Sequence, residues 1–263
     1  MAARKWVSFH DPQAQFVLEG AALRKAWPRL HRGDREPWPA GNRAAGRQAA
    51  WRAFHAGQFQ QAVDAATDLG VAGAAPANKA AGVYATYLAK DDASAIHILR
   101  EAIDRGERAV DELPDEANSH YFLAFVLGRY SQRISVVKAL AEGLGSQIQK
   151  ALEQALELEP KHAEAHVALG VFHAEVVDKL GGLAARLGFG ASRDAALRHF
   201  DTAMELAPES PVVRLEYARS LRLLAPRESA RMTALLEAAA AITPADAMES
   251  LDVSAARAAL KKG

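Results

Sequence analysis

From about Asn42 onward, apolar and polar positions alternate with helical rather than strand period, and the pattern is cut at intervals by proline. Ala151-Leu-Glu-Gln-Ala-Leu-Glu-Leu-Glu-Pro160, His199-Phe-Asp-Thr-Ala-Met-Glu-Leu-Ala-Pro208 and Leu236-Glu-Ala-Ala-Ala-Ala-Ile-Thr-Pro244 end alike. Gly106-Glu-Arg-Ala-Val-Asp-Glu-Leu-Pro114 is a weaker copy. Each reads as the last turns of a helix. Proline has no N–H to continue the ladder and forces the preceding residue out of the helical region, so the next helix starts afresh. Pro114, Pro160, Pro208 and Pro244 are 46, 48 and 36 residues apart, a quasi-period that predicts repeated helical hairpins.

The first forty residues differ. Asp11-Pro12 predicts a helix start, and Phe16, Leu23, Trp27 and Leu30 fall on one helical face, with Pro28 bending or interrupting it. Arg32 to Gly41 is rich in proline and glycine and reads as a loop, and its Arg-Gly-Asp triplet reads as chance. The predicted organisation is an N-terminal helical cap or docking segment over 1–41, helical repeats over 42–244, and a C-terminal capping helix over 245–263. That last helix has Leu251, Val253, Ala256 and Leu260 as its apolar contacts.

The endings resemble the close of the tetratricopeptide repeat. Ala165-His-Val-Ala-Leu-Gly170 resembles the opening of its first helix, and Gly57-Gln-Phe-Gln-Gln-Ala62 resembles its turn into the second. The resemblance implies an all-α fold, a right-handed α-α superhelix of stacked hairpins. Two central units carry roughly a dozen extra residues each over the repeat. These lie around Ser131–Leu140 and Val176–Gly190, and both are apolar and helix-prone, so two elongated central hairpins are expected. Leu169-Gly170, Leu183-Ala-Ala-Arg-Leu-Gly-Phe-Gly190, Asp194-Ala-Ala-Leu-Arg-His-Phe200 and Glu205-Leu-Ala-Pro208 are similar to a branch of this superfamily. The branch contains the regulator-of-microtubule-dynamics proteins and the bacterial T component associated with tripartite solute transporters.

Composition narrows the function classes. Lys plus Arg and Asp plus Glu both number 32, so no basic excess points to nucleic acid. The absence of cysteine removes disulfides, thiolate metal sites and a cysteine nucleophile. No run of about 18 uncharged apolar residues predicts a membrane span. The first residues lack an apolar stretch after their basic ones, so a cytoplasmic protein is expected.

His162, His166 and His173 recur at helical spacing and are the one candidate metal cluster. Their order lacks the His-Glu-x-x-His arrangement, and packing and turn positions account for them, so no metal or other cofactor is assigned. Gly181-Gly182 and Gly188-Phe-Gly190 have no following Gly-Lys-Ser/Thr and read as helix ends rather than a phosphate loop. Asp91-Asp92 reads as a capped turn. Nothing supports a catalytic triad, and a non-enzymatic role is expected.

The resemblance further implies that the first helix of each unit lines a concave groove. It points Lys79, Val83 and Tyr87, then Asn118, Tyr121, Phe125 and Arg129, then Glu164, Val167, Val171 and Glu175, then Arg219 and Arg222 inward. The aromatics read equally as groove or core. The arginines favour the groove, because burying an unpaired charge is costly. The expected function is a binding scaffold that offers Tyr87, Tyr121, Phe125, Arg129, Val167, Val171, Glu175, Arg219 and Arg222 to a partner protein or peptide. The alternative is a binder of a small apolar ligand associated with solute transport.

Overall fold

The computed structural model describes residues 6–9, 11 and 16–262. Among them the secondary structure is helical with no strand, and the chain divides into two compact units. The first comprises the described residues up to His31, Glu36–Leu158 and Asp246–Met248. The second comprises Arg32–Arg35, Glu159–Ala245 and the described residues from Glu249.

In the first unit, α1 (Ala21–Leu30) precedes the hairpin α2 (Ala44–His55) and α3 (Phe59–Thr67), and a short 3-10 helix follows at Gly70–Gly73. Next come α4 (Ala74–Tyr87) with α5 (Asp92–Glu112), then α6 (Ala117–Ser131), the short α7 (Val136–Ala141) and α8 (Leu144–Leu158). Asp91 caps α5: its carboxylate accepts the Ser94 N–H at 2.7 Å, as the sequence predicts for this acidic pair. Helices α5 and α8 stop two residues before Pro114 and Pro160. Gly82 lets α4 and α6 meet, because a Cβ there would lie 2.2 Å from Cε1 of Phe125.

The N-terminal segment packs inside this unit. Leu23 and Trp27 of α1 are buried, with Leu30 half-buried beside them. The helix that carries Leu23 and Trp27 starts at Ala21, after Gly20, and the expected start at Asp11-Pro12 runs into residues 12–15, which lie outside the described residues. Asp11 is in no helix, Pro12 lies outside the described residues, and Phe16 precedes α1. Pro28 does not end α1, which runs on to Leu30. A proline costs a helix its bond to the carbonyl four residues back, and here that loss falls in the final turn.

In the second unit, α9 (Ala163–Leu180) leads through α10 (Gly182–Phe189) to α11 (Arg193–Leu206), followed by α12 (Pro211–Leu224), α13 (Ser229–Ala240) and α14 (Ala247–Leu260). The first two residues of α14 belong to the first unit. Val167, Phe200, Val213, Tyr217 and Leu221 form the core where α9, α11 and α12 meet. Gly170 is the small residue of that hairpin: a Cβ there would stand 2.8 Å from the Phe200 ring. Leu251, Val253 and Ala256 of α14 are buried, and Ala256 packs with Leu215 and Ala239.

The extra residues of the two central hairpins are helical, and they form the separate helices α7 and α10 rather than only lengthening their neighbours. Gly181, with φ 78°, ends α9, and Gly190, in the left-handed region at φ 62°, ends α10. Glycine takes those conformations without the steric penalty a Cβ brings.

Candidate functional site

On the first unit the face singled out by the sequence is built by α4 and α6. Lys79 and Val83 are buried and Tyr87 is half-buried. The Lys79 ammonium lies 5.8 Å from the ring centres of both Phe54 and Phe122, a cation–π seat that offsets part of its desolvation. Tyr121 is buried, and its ring stacks near that of Phe125, with centres 6.2 Å apart. Phe125 is half-buried, and the Arg129 guanidinium lies 5.4 Å above it. Arg129 also donates to Gln132 Oε1 at 3.2 Å. At the near end of α6 the chain's own N-terminal segment is seated. Asn118 Nδ2 donates to Glu36 Oε2 at 2.7 Å, and Arg47 Nη2 meets Glu36 Oε1 at 2.7 Å. Glu36 itself is buried, and its carbonyl accepts from Trp27 Nε1 at 2.8 Å.

On the second unit, Val167 is part of the core and Val171 packs half-buried against it. Glu175, one turn further along α9, accepts from Lys179 Nζ at 3.1 Å. On α12, Arg219 pairs with the buried Glu216 at 3.1 Å, while Arg222 is exposed. Glu164 is half-buried and its N–H donates to the Gly33 carbonyl at 3.0 Å. Below this face, burial pushes the Tyr217 hydroxyl well above the ordinary tyrosine range. It donates to Asp201 at 2.8 Å and also meets the Arg231 guanidinium.

Of the three histidines expected on one helical face, His166 and His173 share one against His199 and His162 does not. His162 is buried as the cap of α9, with its Nδ1 accepting the Ala165 N–H at 3.0 Å. His166 instead meets His199 of α11, Nδ1 to Nδ1 at 2.9 Å, and His173 stacks on His199 with ring centres 5.6 Å apart. His166 Nε2 faces the Pro160 carbonyl at 3.2 Å. A carbonyl only accepts, so Nε2 carries the proton of a neutral His166, and its Nδ1 accepts from Nδ1–H of His199. The two Nδ1 atoms point at each other along the line joining rings 5.2 Å apart. A metal held head-on by both needs about 2.0–2.1 Å to each nitrogen, so roughly 4 Å between them; the observed separation suits a shared proton.

Burial, helped by the charges of His166, His173 and Arg198, pushes His199 down to about 4, and burial also lowers His166. These rings are neutral when folded and take protons more readily when unfolded. The stability they lend is therefore present above the ordinary histidine pKa of 6.5 and is lost as the pH falls toward about 4. Melting followed across that window should fall more steeply for the wild type than for His199→Phe. Parallel profiles would refute the assignment.

A second buried cluster is only partly signalled by the local sequence. Trp51 is fully buried, with the His31 ring centre 4.5 Å away and those of Phe54 and His55 at 5.5 and 5.8 Å. His55 Nδ1 contacts Asp246 Oδ2 at 2.7 Å, and its Nε2 lies 3.2 Å from His31 Nε2. Trp51-x-x-Phe54-His55 at helical spacing announces a packing face, but nothing in the sequence joins it to Asp246.

The family described as regulator of microtubule dynamics protein 1-3 matches residues 77–262. A search of curated proteins found no match. Among solved structures, the crystal structure of a thermophilic TPR protein from Thermus thermophilus superposes with a TM-score of 0.59 at 13% identity. The match covers 82% of this chain and 100% of that one. The fold is thus of the tetratricopeptide type. No helix among the described residues is long and apolar enough to cross a membrane.

Proposed function

The chain belongs to the regulator of microtubule dynamics protein 1-3 family, and we propose that it is a non-catalytic cytoplasmic scaffold that presents helix faces to a partner protein or peptide. The observation that carries this reading is the Phe125–Arg129 pair. A half-buried aromatic ring beneath a guanidinium, on the first helix of a repeat, is the type of anchor that dominates binding surfaces. Tyr87 on α4 extends that surface, and Tyr121 supports Phe125 from below. On the second unit the corresponding surface runs from Val171 and Glu175 on α9 to Arg219 and Arg222 on α12, with Val167 beneath it.

The reading of a small apolar ligand has less support. The pocket lined by Val71, Ala74, Ala109, Leu113 and Phe122 together with Arg47, Asn78, Glu116, Asn118 and Ser119 has a volume of about 10 Å³, room for about one water rather than a ligand.

A photo-crosslinking residue at Phe125 in the host cell will identify the partner, and titration with the purified partner then tests the face. Polymerised tubulin is included among the partners assayed, because the family's name states microtubule dynamics. Phe125→Ala and Arg129→Glu should each weaken binding by about tenfold or more; melting should be little changed for Arg129→Glu and lowered for Phe125→Ala, whose ring packs on Gly82. Unaltered affinity in both variants, or an apolar molecule retained in native mass spectra of the purified chain, would overturn the proposal.

A further inference from the structure

The short helix α10 carries an exposed apolar face apart from the helix faces above. Its inner side is fixed: Ala185 is fully buried, and Phe189 four residues on packs edge-to-face on Phe172 of α9, with ring centres 6.0 Å apart. Residues four apart share a helix face, so this anchoring turns Leu183 and Leu187 outward together. They are 75% and 79% exposed. Between them, on the same outer side, Arg186 is exposed as well. From Leu180 to Ser192 Arg186 is the only charged residue. The glycine conformations at Gly181 and Gly190 set the helix off from its neighbours at both ends.

We propose that α10 is a membrane-surface contact, with Leu183 and Leu187 entering the headgroup–acyl boundary of an anionic bilayer and Arg186 pairing with lipid phosphate. Two large apolar side chains held in water by a rigid anchor cost free energy that an interface recovers. The complement is electrostatic too: the segment carries one cation and no carboxylate, as an anionic headgroup layer requires. A partner helix lying in a groove reads anchors over about two turns or more. Helix α10 offers only Leu183 and Leu187 as large exposed apolar side chains, and the next position of such a stripe, seven residues after Leu183, is Gly190, whereas a bilayer needs only the outward pair.

The test uses the full chain and sedimentation with vesicles of phosphatidylcholine alone or mixed equally with phosphatidylglycerol. The wild type should sediment with the mixed vesicles and much less with phosphatidylcholine. The double variant Leu183→Glu/Leu187→Glu should partition at least about tenfold less, with an unchanged melt because both sites are exposed. Arg186→Glu should lose the preference for anionic lipid. Absence of sedimentation with mixed vesicles, or a double variant that sediments like the wild type, overturns the proposal. So does a wild-type dimer that the double variant dissolves, which would give this face to a second copy of the chain. None of these outcomes depends on the Phe125–Arg129 face.

Discussion

Replacing Trp51 by alanine will destabilise the protein by about 3–5 kcal/mol, the cost of emptying a fully buried aromatic site. Its ring has no exposed surface, and His31, Phe54 and His55 crowd it within 6 Å, with Trp27 and Phe122 beyond at 6.1 and 6.4 Å. These neighbours come from α1, α2, α6 and the loop after α1, so none can fold inward alone to fill the void. The side chain also carries a cost of its own: its Nε1–H is buried with no hydrogen-bond partner among the described residues. An orphaned donor of this kind forfeits about 1–3 kcal/mol. Trp51→Phe should therefore lose far less than its reduced volume suggests, because the phenyl ring removes that donor. Denaturant unfolding of the two variants checks both statements. A loss under about 1 kcal/mol for alanine would show that this cluster is not the core of the first unit.

The hairpins were legible because their signals are local. Proline at 114, 160 and 208 stops a helix through its own backbone, and Asp91 caps the next through its own carboxylate. Gly170 could be read as a close approach, and it faces Phe200. The candidate site was only partly legible. Helical register put Phe125, Arg129 and Arg222 on the first helices of their units, where they are at least partly accessible, but it put Tyr121 and Val167 on the same face, and they are buried. Register fixes which way a residue points. It does not say what packs on that face, and here the loop carrying Glu36, 82 residues from Asn118 in sequence, packs on α6. The insertions were read as helix-prone from composition, yet their division into α7 and α10 depends on backbone angles at Gly143 and Gly181.

The contact between His55 and Asp246 spans 191 residues, and no periodicity could have announced it. Both side chains are nearly solvent-free. Because a carboxylate only accepts, His55 Nδ1–H donates to it, and His55 Nε2 lies within hydrogen-bond reach of His31 Nε2. One acid thus orients two imidazoles beside Trp51, and it does so from the residue that immediately precedes α14. Asp246→Ala should destabilise the protein by about 3 kcal/mol, the low end for breaking a buried pair. Asp246→Asn keeps an acceptor oxygen at the same reach and should recover part of that loss. The decisive measurement is a double-mutant cycle with His55→Ala. If the contact carries the effect, the two single losses should exceed the double by at least about 1 kcal/mol. Additive losses would mean that Asp246 acts through the start of α14 and not through His55.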